Sequence, residues 1–571
     1  MTADATAEAA EDSPHERDAT ASASDGTLVD GDSDGSPGDD DGDSDGSPGD
    51  DHDLSADEDV APSDAVVEAR LEDALERVAH GATVSVPGIL AERGLSVAFT
   101  AILTNGFGAA AYGVFALARR SQAYLLHLAF GFNGGLSRFL PNADDDAERD
   151  AIVTFAALLL FGVATAFGAA LYVATPTIVD LVEVGREGQF GALLRVFAIG
   201  LPAAAWLFTV SGILRGLEAV VPLTLTMRVG VPVAHLAVAG LGVVVFDDVV
   251  LVAAGVVTAS ALVGTVAMAW FARDRGISPR VRGPDVRALW KRYVRYTFPL
   301  FLGGFATVTQ RLGFYPLIAW FLTGLAGGVF AVGVLVGSLV RLPLNAINQF
   351  IPPVAAELNE EGYDRALSRL YHVTSRMVLV GVTAAAVPVV VYRRELMSLF
   401  GDAFVPHADL LAGFVVAQYV ACAAGSVGIL LMMTDNQRAL LVVNSLITAA
   451  LVVVAIPLTA NYGLPGLVGT YVLMLTLNNV LEVVVLYHLE GLQPLTHRHG
   501  YTLVAALPLA AVALGSRAAI PGTVGVAVGV LGGLAAYTAT LRWLGFTPVE
   551  RRLVGTLADR YRQALADRRS A

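Results

Sequence analysis

YGVFALARRSQAYLLHLAFGFNGGLSRFLP, residues 112–141, is apolar enough over most of its length to sit in lipid, yet it carries Arg119 and Arg120 side by side. A charge near the centre of a bilayer costs about 2.5–3.5 kcal/mol even on the lenient insertion scale, so something within the protein must offset it. Read at helical spacing, Arg120, Tyr124, His127, Gly131, Gly135 and Arg138 fall at i, i+4, i+7, i+11, i+15 and i+18, which is one face. Arg119 and Gln122 lie beside that face. The stretch therefore reads as a membrane helix that turns an arginine-bearing stripe toward protein or a wet cavity.

The remaining chain has the same character. Of 571 residues, 54% are hydrophobic and 16% charged, and the mean hydropathy is +0.59. A water-soluble chain of this size needs more charge to cover its surface, so the fold class expected is an all-α polytopic membrane protein. The net charge of −16 is concentrated at one end: residues 1–64 hold 18 Asp and 4 Glu against Arg17, a balance of −21 that leaves +5 for residues 65–571. Lys291 is the only lysine among 37 basic residues, and this acidic, lysine-poor, Ala/Val/Gly-rich composition resembles that of proteins from salt-loving archaea. One cysteine, Cys422, leaves no disulfide within the chain.

The acidic segment 1–64 contains DGDSDGSPGDD twice, at 30–40 and 41–51. Dense like charge with almost no large apolar residue builds no core, so disorder is predicted there. Asp30, Asp32, Asp34 and Gly35 imitate the start of a calcium loop, but the twelfth position is Asp41 rather than Glu and no helices are expected around it, so no metal site is read here. Over 65–80 the pattern changes. Val67, Leu71, Leu75 and Val78 recur at helical spacing among Glu and Arg, which predicts an amphipathic helix lying at the membrane surface.

About 20 apolar residues make a span. Fourteen such segments are read, near 84–106, 112–136, 151–175, 190–213, 220–245, 249–271, 297–322, 327–354, 374–392, 408–433, 438–460, 464–488, 501–516 and 521–541. The third, fifth and sixth read as plain apolar helices. Loops after even-numbered spans hold Arg138, Arg149, Arg215, Arg365, Arg369, Arg376, Arg438, Arg498 and eight basic residues between 273 and 295, and the C-terminal tail adds six arginines from Arg551 to Arg569, whereas the other side offers Arg186, Arg393, Arg394 and Arg517. The positive-inside bias predicts that both termini are cytoplasmic, with ALWKRYVRY at 288–296 forming a basic surface helix against anionic lipid.

GVFA occurs at 113–116 and again at 328–331, each followed by an apolar run to a proline, Pro141 or Pro352, and then by an acidic loop. Spans 1–6 and 7–12 thus read as two copies of one six-helix unit, and repeated halves with a site between them are characteristic of transporters. The polar stripe recurs as well. Span 8 carries Ser338, Arg341, Asn345, Asn348 and Gln349; span 7 carries Gly303, Thr307, Gln310 and Arg311; span 1 holds Glu92 and Arg93, about 13 Å from its start. Arg93, Arg119, Arg120, Arg311 and Arg341 outweigh Glu92, so a cavity lined by them is cationic and suited to an anion, phosphate above all. Tyr124, Gln310, Asn345, Asn348 and Gln349 are candidate hydrogen-bonding groups for sugar. Glu482, next to Asn478 and Asn479 in span 12, and Glu92 are the candidates for an ion or proton site, with a satisfied helix contact the plainer reading of Glu482.

No phosphate-binding loop is possible, because that motif needs Gly-Lys-Ser/Thr and Lys291 follows Trp290. No metal-spaced Cys/His set occurs, and no cofactor or nucleic-acid partner is expected. GAAAYGVFALA at 108–118 with FGFNGGLSRFLP at 130–141, FIPPVAAEL at 350–358, ELMSLFGDAFVPHADLL at 395–411, ILLMMTDNQRALLVVN at 429–444 and NYGLPGLVGTYV at 461–472 together resemble the polysaccharide and lipid-linked oligosaccharide flippases of the multidrug/oligosaccharidyl-lipid/polysaccharide exporter superfamily. The resemblance implies a non-enzymatic flippase of 12 to 14 helices, with two lobes around a central cavity. It implies alternating access, a polyprenyl-phosphate- or pyrophosphate-linked glycan as substrate, and a plasma-membrane location beside membrane lipids and glycosyltransferases of the same pathway. It maps cavity arginines onto Arg93, Arg119, Arg120, Arg311 and Arg341. The expected organisation is a tail at 1–64, a surface helix at 65–80, a first lobe at 81–272, a basic linker helix at 273–296, a second lobe at 297–490, two further spans at 491–545 and a cytoplasmic tail at 546–571. The alternatives are an ion-coupled multidrug or small-molecule exporter of the same superfamily, for which acidic cavity residues would be expected, and a membrane glycan polymerase, for which a large external loop would be.

Overall fold

Glycine and proline interrupt the apolar segments at short intervals, and the computed structural model shows which of these interruptions turn or break a helix. It describes residues 64–279 and 286–545 together with Arg551 and Gly555; the acidic repeats and the calcium-loop-like motif lie outside the described residues. All regular structure among the described residues is helical. In chain order it comprises α1 (Asp64–Phe139), α2 (Asp146–Asp180), α3 (Glu187–Ile199), α4 (Leu201–Gly216), α5 (Val220–Thr224), α6 (Val231–Leu241) and α7 (Val249–Arg275). Then come α8 (Val286–Leu312), α9 (Phe314–Phe321), α10 (Gly324–Val340), α11 (Leu342–Ile347), α12 (Ile351–Glu360), α13 (Asp364–Val391) and α14 (Arg393–Ser398). The chain closes with α15 (Ala408–Ala423), α16 (Val427–Met433), α17 (Gln437–Glu490), α18 (His497–Ala519) and α19 (Gly522–Leu544).

All fourteen expected segments fall on helix, but they are divided differently. Among the described residues nine helices are long and apolar enough to cross a membrane, or ten if α3 and α4, bent by 46°, form one span. Two helices meet inside α1 at Gly108 (φ 80°) and two inside α17 at Gly463 (φ 62°), conformations that only glycine enters without strain. Span 8 is not the continuous helix expected: α10 ends at Arg341, Pro343 stands in the first turn of α11, and a second break precedes α12. A proline there removes a backbone donor and starts a new helix rather than continuing the old one. Span 5 contains two π-helical turns, Leu225–Gly230 and Gly242–Phe246. Large apolar side chains such as Val173, Val244, Leu531 and Trp543 are at least 70% exposed, the pattern of a protein whose solvent is lipid.

Two sets of helices can be traced by packing. α1 packs with α2, α3, α4, α6 and α7; α10 and α13 pack with α15, and α15 with α17; α8 packs with α1 and, less extensively, with α17. They meet where α1 crosses α10, and here the repeated GVFA motifs face each other. A Cβ added to Gly113 would lie 1.6 Å from the carbonyl oxygen of Gly324 and 2.8 Å from the nitrogen of Gly328, and one added to Gly328 would lie 2.7 Å from the oxygen of Ala109. Two bonds tie the same end of the bundle: Gly324 N–H donates to the Val184 carbonyl at 2.9 Å, and Asn105 Nδ2 to the Leu399 carbonyl at 2.9 Å.

At the opposite end, rich in arginine, the two helices expected at the membrane surface each pack one face on protein. The basic helix read at 288–296 is the start of α8, which runs without a break into span 7. Its Tyr293 is fully buried and donates to the Phe132 carbonyl at 2.8 Å, Trp290 stacks on Phe155 at 4.6 Å, and Arg292 pairs with Glu148 at 3.4 Å. The amphipathic helix of 65–80 forms, as the start of α1. Its buried Leu71, Ala74 and Leu75 share one core with Ile351, Val354 and Leu358 of α12 and Leu367 and Leu370 of α13. Periodicity shows that a helix face is buried; it does not show against what.

Arg77 donates to both carboxylate oxygens of Glu357, at 2.7 and 3.2 Å. The hydrogen bond from Arg77 holds the Glu357 carboxyl below its ordinary range. A carboxylate with a lowered native pKa contributes stability above its ordinary titration range, and that contribution is lost as pH falls through the lowered value. Docking of 64–77 is therefore expected to be constant from neutral pH down to about 4.5 and to weaken below it, which hydrogen exchange of this segment would register.

Candidate functional site

Arg119 and Arg120 are adjacent on α1, so their side chains leave the helix about 100° apart, and the structure sends them to different places. Arg119 turns into the first packing group, where one guanidinium nitrogen lies 3.4 Å from His235 Nδ1 and the charge sits over the Phe99 ring at 5.2 Å. His235 Nε2 continues to the Ser260 hydroxyl at 2.8 Å, which donates to the Val256 carbonyl at 2.8 Å. Arg120 turns the other way, over the ring of Tyr315 in α9 at 5.3 Å.

Tyr315 opens an aromatic layer. It packs on Phe330 at 5.6 Å; Phe330 meets Phe414 at 5.2 Å, and Tyr471 lies 5.3 Å from Phe414. Tyr471 accepts a hydrogen bond from Gln418 Nε2 at 2.7 Å. Arg341 is half-buried at the break between α10 and α11. Arg120 and Arg341 come from opposite packing groups. Measured along their helices, they lie about 10 and 20 Å from the Gly113–Gly328 crossing, both toward the arginine-rich end. Tyr124, one turn beyond Arg120, ties α1 to α8: its hydroxyl lies 3.0 Å from that of Thr309.

The stripe read on residues 120–138 is thus not uniformly a cavity face. A Cβ on Gly131 would meet the Phe301 backbone at 2.3 Å, and one on Gly135 the Tyr293 ring at 2.4 Å, so these glycines seat α8 against α1. Arg138 lies over Tyr296 at 4.4 Å, and His127 turns to Phe208 at 5.6 Å. Several expected sugar-binding groups already hold helices together. Gln310 Nε2 donates to the Asn444 carbonyl at 2.7 Å, and Asn348 Oδ1 accepts from Ser426 at 2.6 Å. Asn345 is half-buried and Gln349 exposed. Glu482 is 7% exposed and accepts from Asn478 Nδ2 at 2.7 Å. No ion pair joins Glu92 to Arg93 among the described residues, and Arg93 Nε is buried without a hydrogen-bond partner. The side chain of Arg311 lies outside the described residues. No group of three His, Cys, Asp or Glu among the described residues is placed to hold a metal ion.

Span 5 is not the plain apolar helix expected. It supplies His235 to Arg119, and its Arg228 lies against Gly88 of α1, where a Cβ would be 3.5 Å from Arg228 Cδ. The two residues are seven apart, hence on one helix face, a signal that the high hydropathy of their neighbours hides. Tyr315, Thr309, Gln418 and Tyr471 also carry no motif of their own.

Comparison with known proteins agrees with this architecture. Residues 78–359 match the polysaccharide biosynthesis protein family. The fold is similar to that of the lipid II flippase MurJ in an inward closed conformation, with a TM-score of 0.65, 10% identity, and 79% of this chain and 96% of that one covered. It is also similar to a multidrug resistance MATE family transporter of the MOP superfamily in an inward-facing conformation, at 0.59 and 14% identity over 70% and 94% of the two chains. A MOP superfamily transporter from Pyrococcus furiosus Vc1, described as having a binding pocket of reverse polarity, aligns at 0.51 and 16% identity over 73% and 95%. No curated protein matches the chain by sequence.

Proposed function

We propose that this chain, a multi-pass membrane protein with the fold of these transporters, translocates a polyprenyl-phosphate- or pyrophosphate-linked oligosaccharide across the plasma membrane by alternating access. The observation that carries the reading is the placement of Arg120 and Arg341, one from each packing group, on the same side of the glycine crossing, with Arg120 over the ring of Tyr315. In this reading fourteen spans form two lobes and two further helices, both termini are cytoplasmic, and the arginine-rich end faces the cytoplasm. The phosphate of the substrate enters from that side and is held by Arg120 and Arg341, with Arg93 and Arg311 completing the cationic surface; the planar guanidinium suits phosphate through paired N–H donors. Arg119, turned to His235, braces the first lobe rather than touching substrate. Asn345 and Gln349 are the groups left for sugar hydroxyls, and Tyr124, already bonded to Thr309, would have to exchange that partner for one. The lipid tail remains in the bilayer while the lobes rock, opening the Gly113–Gly328 crossing and closing the arginine-rich end.

An ion-coupled exporter of small molecules shares this fold, and buried Glu482 beside Asn478 is the feature that favours it. The net charge around Arg120 and Arg341 argues for an anionic substrate instead. The deciding measurement is the membrane side on which lipid-linked glycan resides in cells lacking this protein. Accumulation on the cytoplasmic face with surface glycan missing is the expected result; an unchanged outward distribution sinks the flippase reading. Deletion of residues 1–63 is expected to leave surface glycan within about twofold of wild type, because a segment so dense in like charge is predicted from its sequence to build no core; quantitative glycan staining at matched protein level checks this.

A further inference from the structure

We propose that residues 64–77 form a clasp: a helical arm of the first lobe that grips the arginine-rich end of the second lobe and biases alternating access toward the conformation described here. The arm is continuous in chain with the first span, the two being joined through Pro87 within α1. Its contacts, however, are with α12 and α13. Leu71 and Leu75 are 4% and 3% exposed within a core built from those helices. Around that core Arg77 pairs with Glu357 at 2.7 Å, Arg70 pairs with Glu361 at 3.2 Å, and Arg70 also lies over the Tyr363 ring at 5.4 Å.

One helical segment of the first group is thus held against the second at the end opposite the glycine crossing, with Pro87 as the joint between arm and span. Rocking the lobes about that crossing changes the distance between the start of the first span and α12, and an arm fixed to both must bend, undock or resist. Resistance of a few contacts is enough to shift a two-state equilibrium, because only the difference between the states counts. The arm precedes residue 78, where the family match begins, so it is an addition to the part shared with the polysaccharide biosynthesis family. Its ion pairs are about one-third or more exposed, which makes the grip tunable by ionic strength, since exposed pairs are screened by salt.

The test uses the full chain in lipid nanodiscs with Cys422→Ala, spin-labelled in pairs. Glu68→Cys with Glu360→Cys reads the arm against α12, and Asp144→Cys with Glu360→Cys reads the separation of the two lobes at this end. In Arg70→Glu/Arg77→Glu the first distance is expected to lengthen, and the ratio of long to short populations in the second pair to change by about two- to fivefold for each ion pair lost. Glu357→Arg added to Arg77→Glu should restore part of both. Leu71→Ser/Leu75→Ser should act in the same direction without changing charge. If the arm releases in these variants while the lobe-to-lobe distribution stays that of wild type, the arm is a passive dock and the proposal is wrong; an arm distance unmoved by all of them overturns it equally. Neither readout involves a substrate, so the result stands apart from the identity of what is transported.

Discussion

Arg341→Ala and Arg120→Ala are each expected to abolish delivery of glycan to the cell surface while leaving insertion and protein level unchanged. A charge-assisted hydrogen bond is worth about 1.5–3 kcal/mol, so losing one arginine that binds phosphate weakens binding by about 10- to 150-fold. The effect on transport is larger than on binding alone, because the two guanidiniums come from opposite helix groups and both must engage if the phosphate is to draw the lobes together. Lysine keeps the charge and loses the paired donors, so Arg341→Lys should recover only part of the activity. Arg119→Ala is the informative contrast. Its partners are His235 and Phe99, so its loss should lower thermal stability before it lowers transport in the protein that remains folded. Surface glycan staining and a melting curve on each variant separate the two. Normal glycan in both Arg120→Ala and Arg341→Ala would remove the phosphate site from the proposal.

How much of this was legible beforehand follows from what each residue type can signal. An arginine in an apolar run must be compensated somewhere, and that argument points to Arg93, Arg119, Arg120, Arg311 and Arg341 alike. It could not separate Arg119 from Arg120, because adjacency gives the angle between two side chains and not the direction of either. Gly131 and Gly135 shared a helix face with Arg120 and were read as its continuation, but glycine carries no polarity; its position marks only where something comes close, and that proved to be α8. His235 and Arg228 went unread because thirteen of the nineteen residues from Val220 to Val238 are Ala, Val, Leu, Met or Gly, and mean hydropathy averages a polar pair away. Tyr315 and Tyr471 lie in membrane helices where aromatic residues are ordinary, and only the rings around them reveal a layer. The repeat of GVFA was visible as identity in sequence, whereas its consequence, that the two copies touch, required the fold.

That contact sets the second large effect. Gly113→Leu is expected to prevent the crossing of α1 and α10 from closing and to cut transport by at least about tenfold. At Gly113 the nearest obstacle is backbone: a Cβ would lie 1.6 Å from the carbonyl oxygen of Gly324, and the Gly324 nitrogen is itself bonded to the Val184 carbonyl. Backbone cannot rotate away as a side-chain tip can, so even alanine must push the helices apart, and overpacking of this kind costs about 1–3 kcal/mol, occasionally more. That cost falls only on the conformation in which the crossing is closed. Every 1.4 kcal/mol is about tenfold in the ratio of the two states, so Gly113→Ala should move the population substantially and Gly113→Leu nearly completely. Spin labels at Glu187→Cys and Asp402→Cys, exposed near this end on opposite helix groups, should show the longer separation in both variants. Gly94→Ala, where an added Cβ meets nothing within 4 Å, should leave the distance and the transport unchanged. A short distance retained in Gly113→Leu, with transport intact, would mean that the two GVFA copies are not the seal and that the lobes close on some other contact.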